Sequence, residues 1–309
     1  MAAHTDPPAP IEMYFTARDG LRLHARRYMA QPAMRSSIRP VLCLPGLTRN
    51  GRDFHEIALA LSTDRFAPRD VYTIDYRGRG LSEFDSDWRN YAVPIEMLDV
   101  IDFMTLAGLH DAAIIGTSRG GLIAMVMAAA QPSLIGALVL NDIGPVVEPE
   151  GLARISAYVG RVPLPGSWPD AARMVRDLNR RAFPEIPSEE WEDIARQLYN
   201  ERNGRPAVGY DAKLSNALSV LDGPMPALWP QFEALKRVPL LVLRGENSDI
   251  LTAATVEEMR RRHPRFAAVT VPAQGHAPLL RDLPTIASVR RFLDVADGGQ
   301  SVVELAFAS

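Results

Sequence analysis

Ser118 lies in Ile114-Ile115-Gly116-Thr117-Ser118-Arg119-Gly120-Gly121, an apolar run that breaks into Gly-x-Ser-x-Gly. Glycines two positions before and after the serine predict a tight strand-to-helix turn, which only very small neighbours permit. Such a turn lifts the hydroxyl clear of a sheet and sets it at the positive end of the next helix, where developing negative charge is stabilised. A serine hydroxyl needs a base to become a nucleophile, and histidine titrates near neutral pH. His276, in Gln274-Gly275-His276-Ala277-Pro278, is the candidate base. Asp249, in Arg244-Gly245-Glu246-Asn247-Ser248-Asp249, is the candidate carboxylate that orients the imidazole. Asp142 also follows an apolar run and is the alternative acid. Taken alone, the serine turn is equally consistent with a helix cap. The Asp and His that follow it in order argue for acyl transfer.

Acyl transfer also needs two backbone N–H donors for the oxyanion. Arg119, directly after the serine, supplies one expected amide, and Leu47, in Pro45-Gly46-Leu47, supplies the other. The Arg119 guanidinium is expected to rest on a carboxylate near the pocket, with Asp142 and Glu246 as candidates. Asp75 reads as structural, tying down the glycine turn that follows it. Arg77 and Arg79 read as a solvated turn rather than an anion site. His24, His55, His110 and His263 lack catalytic context, although His55 is close enough to the Leu47 loop to remain a minor candidate. No His, Asp or Glu cluster has metal-ligand spacing, and neither a metal nor a cofactor is expected.

The elements that must position these residues follow from hydrophobic patterning. Ile11–Thr16 and Leu21–Tyr28, joined by Arg18-Asp19-Gly20, read as a β-hairpin. Val41–Leu44, Val71–Asp75, Ala112–Ile115 and Leu134–Asn141 are short apolar strands alternating with helical stretches. That rhythm predicts a mostly parallel sheet covered on both faces, with ligands at the carboxyl ends of its strands. From 145 to 230 no strand is expected. Helices are read instead at Gly151–Val159, Pro169–Arg181, Ser188–Asn200 and Asp211–Leu221, the third starting at Ser188-Glu189-Glu190-Trp191. Strands resume at Pro239–Leu243 and Ala267–Val271, with a last helix at Leu283–Val295. The expected organisation is an α/β core over 11–144 and 231–296, a helical cap over 145–230, and flexible termini at 1–10 and 297–309. Trp191, Tyr199, Tyr210 and Trp229 of the cap are candidates to line an apolar acyl pocket, or simply to pack within the cap.

The 309 residues carry a net charge of −3, which argues against a dedicated nucleic-acid binder. No stretch approaches the roughly 20 apolar residues that span a bilayer. The Pro- and Ala-rich N-terminus lacks the apolar core of a secretory signal. The one cysteine, Cys43, lies in an apolar run, so it reads as an inert core residue and suits a reducing cytoplasm.

Over roughly residues 11–295 the chain resembles the α/β-hydrolase superfamily, in the branch with a helical cap and a Leu-Pro-Gly-Leu loop. In that fold a Gly-x-Ser-x-Gly elbow is followed by its acid and then its histidine. Asp75-Tyr76-Arg77-Gly78-Arg79-Gly80-Leu81-Ser82 is similar to the superfamily's Asp-x-Arg-Gly-x-Gly-x-Ser turn, and Asn141-Asp142-Ile143-Gly144-Pro145 to a stretch before the cap of some bacterial members. Pro45-Gly46 departs from the His-Gly of many relatives. The resemblance implies a cofactor-free serine hydrolase acting on a small molecule with an acyl group: a carboxylic ester, a lactone or a polyester. A C–C bond hydrolase of the meta-cleavage type, a slowly turning-over ligand receptor and a cofactor-free perhydrolase are the alternatives.

Overall fold

Adjacent residues of the central strands are buried in opposite directions, which is how a sheet covered on both faces reads in sequence. Leu42, Leu44, Ile114, Leu138, Leu140 and Val242 enter one core layer, while Val41, Cys43, Ile115, Val139 and Leu243 enter the other. The computed structural model describes residues 9–31, 38–219, 225–299 and 301–304.

The main sheet has eight strands. The first are β1 (Ile11–Thr16), β2 (Arg22–Tyr28), β3 (Val41–Leu44), β4 (Val71–Asp75), β5 (Ala112–Thr117) and β6 (Ile135–Asn141). Between β6 and the next sheet strand, Asn200–Arg202 (β7) and Arg205–Ala207 (β8) pair as a separate hairpin. β9 (Leu240–Gly245) and β10 (Phe266–Val271) complete the sheet, in the order β1-β2-β4-β3-β5-β6-β9-β10. β2 runs antiparallel to both its neighbours, β1 and β4, and every sheet pairing from β4 through β3, β5, β6 and β9 to β10 is parallel. The expected mostly parallel sheet is therefore present. Its register aligns Leu44 with Gly116, Thr117 with Asn141, Asn141 with Leu243, and Gly245 with Val271, so five loops leave along one edge.

Helices α1 (His55–Ser62), α2 (Val93–Leu106) and α3 (Arg119–Ala130) follow β3, β4 and β5. After β6 come α4 (Pro149–Tyr158), α5 (Trp168–Asn179), α6 (Glu190–Leu198), α7 (Leu214–Ser219) and α8 (Trp229–Ala234), then α9 (Ala253–Arg262) and α10 (Leu283–Asp297). Ser167 caps α5, accepting from Asp170 N, and Asp282 caps α10, accepting from Thr285 N at 2.8 Å. The third insertion helix starts at Glu190, two residues after the expected Ser188, and has no side-chain cap. α5 and α6 enclose their own apolar cluster around Trp168, Val175, Trp191 and Ile194.

Two expectations are corrected. The stretch from 145 to 230 carries the β7–β8 hairpin, turned by Asn203 and Gly204 with φ of 52° and 73°. Two consecutive positive φ values are what a tight hairpin turn demands. At the C-terminal end, Asp297 closes α10 and pairs with Arg39 and Arg69 at 2.7 and 2.5 Å, and Val302 is buried, so the chain is held well past 297. Residues 1–8 and 305–309 of the expected flexible termini, and 220–221 of the fourth cap helix, lie outside the described residues.

Candidate active site

Ser118 stands between β5 and α3 with φ 50° and ψ −112°, a left-handed conformation that costs a non-glycine residue on the order of 1–3 kcal/mol. The glycines around it are needed for room. A Cβ on Gly116 would stand 2.7 Å from Gly121 N, and one on Gly120 would overlap the Leu44 carbonyl oxygen. The strands, the Ser118 turn and the helix are therefore packed backbone to backbone.

From this turn a hydrogen-bonded chain crosses the sheet edge. Ser118 Oγ lies 2.8 Å from His276 Nε2, and His276 Nδ1 lies 2.8 Å from Asp142 Oδ2. Asp142 is fully buried and also accepts from Gly245 N at 2.8 Å and Ser248 Oγ at 2.6 Å. Both of its oxygens are thus engaged, Oδ1 by Gly245 and Oδ2 by Ser248 and His276, which holds the carboxylate in one orientation. The loop carrying His276 is tied down in turn, since Asn141 Nδ2 donates to Pro278 O at 2.9 Å.

The acid that meets His276 is thus the alternative, Asp142, and the expectation for Asp249 is corrected. Asp142 directly follows β6, the strand beside β5, and its own φ of 55° turns it back over the sheet. Asp249 points the other way, onto α4, where Arg154 donates to it at 2.5 and 2.9 Å. Those hydrogen bonds hold the Asp249 carboxyl below its ordinary range, against the pull of partial burial. Ser248, one residue earlier, is the part of that loop which serves the site.

The two expected oxyanion donors share a brace that sequence reasoning did not find. Arg119 opens α3, so its N–H has no acceptor within the helix. Its guanidinium does not reach Asp142 or Glu246, as expected, but donates to Glu96 Oε2 at 2.5 Å and Tyr91 O at 2.9 Å. Glu96 Oε1 accepts from Arg79 Nη1 at 2.7 Å, and Arg79 Nε donates to Leu47 O at 2.8 Å. One carboxylate with no solvent exposure therefore links Arg119 to the Leu47 peptide. Burial alone would raise the Glu96 pKa, but the Arg119 and Arg79 charges overcome it and hold the group ionised below its usual range.

The solvated turn expected at Arg77 and Arg79 is accordingly also corrected. Both arginines are buried, Arg77 against Asp99, Asp19 and Asp85 at 2.7–2.8 Å. Asp75 holds the turn as expected, accepting from Leu81 N at 2.9 Å and from Gly51 N at 2.7 Å. His24 is buried against Asp75 and Glu12, and His55 pairs with the Tyr28 hydroxyl at 3.0 Å, away from the site. Cys43 is buried, which pushes its thiol up and leaves it unreactive at neutral pH. Among the described residues no group of three or more His, Cys, Asp or Glu is placed to hold a metal ion.

A pocket of about 420 Å³ opens over Ser118 and His276, within the range of small-molecule sites. Its floor is Gly46, Leu47, Thr117 and Ser118, and its roof comes from the insertion, including Ile155, Tyr158, Val175, Trp191, Tyr199 and Tyr210. Trp229, the fourth aromatic candidate, is elsewhere, edge-to-face with Phe232 and under Arg262.

The sequence profile of the alpha/beta hydrolase family matches residues 41–288. The chain belongs to that family. A 3-hydroxybutyrate-oligomer hydrolase of Cupriavidus necator is 32% identical over 263 residues, covering 82% of this chain and 88% of its own. A 2-(acetamidomethylene)succinate hydrolase of Mesorhizobium japonicum is 29% identical, over 76% of this chain and 81% of its own. The crystal structure of an alpha/beta hydrolase from Novosphingobium aromaticivorans superposes with a TM-score of 0.84 at 41% identity, covering 92% of this chain and 98% of that one. The class of reaction for this family member is hydrolysis. No helix among the described residues is long and apolar enough to cross a membrane.

Proposed function

We propose that the protein is a serine carboxylester hydrolase working through Ser118, His276 and Asp142. Ser118 Oγ attacks the ester carbonyl as His276 Nε2 takes its proton, and the Arg119 and Leu47 amides donate to the oxyanion. The intermediate collapses, His276 returns the proton to the departing alcohol, and an acyl group remains on Ser118. Water, deprotonated by His276, then attacks the acyl-enzyme and releases the acid. Asp142 keeps the imidazole proton on Nδ1 and stabilises the imidazolium. Residues 145–230 act as the cap that sets acyl selectivity. A buried lone cysteine fits a reducing cytoplasm.

The observation that carries this reading is the unbroken Ser118–His276–Asp142 hydrogen-bond chain, whose first two members line the pocket. The name of the C. necator relative adds support, because hydroxybutyrate oligomers are joined by carboxylic esters. Oligoesters of small hydroxy acids are therefore the substrates we favour.

The test is labelling by a fluorophosphonate with Ser118→Ala as control, followed by graded esters beside a vinylogous diketone. Labelling of Ser118 with ester turnover is expected. Absence of labelling in folded wild type contradicts the reading, and diketone cleavage without ester cleavage would make the protein a C–C hydrolase. Tight ligand binding with almost no turnover would make it a receptor.

A further inference from the structure

One wall of the pocket carries an ion pair that the chemistry at Ser118 does not use. Arg49 leaves the Pro45-Gly46-Leu47 loop and donates through Nε and Nη2 to Asp53, at 2.7 and 2.6 Å. Both residues line the same pocket as Ser118 and His276. The pair stands close to the nucleophile: a single point over Gly46 is 3.3 Å from Arg49 Cγ and 3.9 Å from Ser118 Cβ. The two side chains keep 24% and 20% of their surface open. Part-exposed ion pairs add little to stability, so holding the fold does not account for one beside the nucleophile.

The hydrogen-bond inventory of this pair is specific. Pairing through Nε and Nη2 leaves three N–H groups of Arg49 as donors, two on Nη1 and one on Nη2, and each Asp53 oxygen keeps acceptor capacity. The pair has no net charge. A substrate carboxylate has only acceptors and would meet the Asp53 charge. A hydroxyl both accepts and donates, so it can take one bond from Arg49 and give one to Asp53.

We propose that Arg49 and Asp53 form a subsite for a substrate hydroxyl close to the scissile carbonyl, which makes hydroxyacyl esters the preferred substrates. The proposal rests on the ester-hydrolase reading above and adds to it the residues that would recognise the substrate hydroxyl. Binding through two bonds to charged groups makes the unsubstituted acyl ester the poorer substrate, because it offers nothing to the spare Arg49 donors and Asp53 acceptors while covering them from water.

The experiment measures kcat/KM by pH-stat titration for ethyl butyrate, ethyl 3-hydroxybutyrate, ethyl 3-methoxybutyrate and monoethyl succinate. The hydroxy ester is expected to exceed ethyl butyrate by about 10-fold. The methoxy ester, which accepts but cannot donate to Asp53, should fall well below it. Arg49→Met and Asp53→Asn should each bring the hydroxy-to-plain ratio close to one. A flat ratio in wild type, preference for the anionic monoester, or an unchanged ratio in folded variants overturns the proposal. The hydroxy and methoxy comparison uses wild-type protein alone, so it decides even where a variant does not fold. Turnover of all esters with a flat ratio removes only the subsite. Turnover of none, with Ser118 unlabelled, removes the hydrolase reading and the subsite with it.

Discussion

Replacing Asp142 by asparagine should abolish turnover while leaving the fold in place, and the same change at Asp249 should leave both turnover and fold in place. Asp142 receives three hydrogen bonds, from Gly245 N, Ser248 Oγ and His276 Nδ1. An asparagine must put its NH2 against one side of that set. Facing Gly245 it would set donor against a buried backbone donor, which has no way to adapt. Facing Ser248 and His276 is less costly, because a hydroxyl can rotate and an imidazole can change tautomer. His276 then accepts at Nδ1 and carries its proton on Nε2, against Ser118 Oγ, where a base is needed. A wrong tautomer of this kind lowers kcat by about 10⁴, or about 5.5 kcal/mol of barrier. Asp249 pairs with Arg154 where both side chains are more than a third exposed, so its loss should change kcat/KM by no more than about threefold. Steady-state hydrolysis of p-nitrophenyl butyrate by both variants, beside their thermal melts, reads the difference. A large loss in Asp249→Asn with near-normal Asp142→Asn would refute the reasoning.

Glu96→Gln removes the one carboxylate shared by Arg79 and Arg119, leaving two buried charges uncompensated. The expected loss is about 3–5 kcal/mol in urea unfolding, and a loss under about 1 kcal/mol would show that the brace is not needed. His263 supplies a pH dependence. Burial pushes it down to about 4, and its neutral ring is fully used, Nε2 donating to Leu235 O at 2.9 Å and Nδ1 accepting from Arg265 N at 3.2 Å. The unfolded histidine titrates near 6.5, so as pH falls the unfolded chain takes up the proton first. Stability from His263 is thus complete above about pH 6.5 and is lost progressively towards pH 4, by up to about 3 kcal/mol. Unfolding free energies of wild type and His263→Gln should converge on acidification, and parallel curves would contradict this.

Ser118, His276 and the parallel sheet were legible because each leaves a local mark: glycines at fixed spacing, short apolar runs, a histidine after the last strand. The choice between Asp142 and Asp249 was not, since both follow strands and the deciding fact is spatial. β6 neighbours β5, and Ser248 rather than Asp249 turns inward. Arg77 and Arg79 resembled a solvated turn because their partners are scattered from Asp19 to Asp99. One signal was available. Glu96 and Asp99 stand three apart on the buried face of α2, among Met97, Val100 and Phe103, and acids on such a face require cations. Asn203-Gly204 was another, as a dipeptide typical of hairpin turns in a stretch read as helical.

The central claim is that Ser118 carries the acyl group. Wild-type protein mixed with p-nitrophenyl butyrate, quenched in acid within the first turnovers and digested, should yield the peptide containing Ser118 with a butyryl mass added. Ser118→Ala should yield none. A butyryl group on any other residue, or p-nitrophenol release undiminished by Ser118→Ala, would contradict the account.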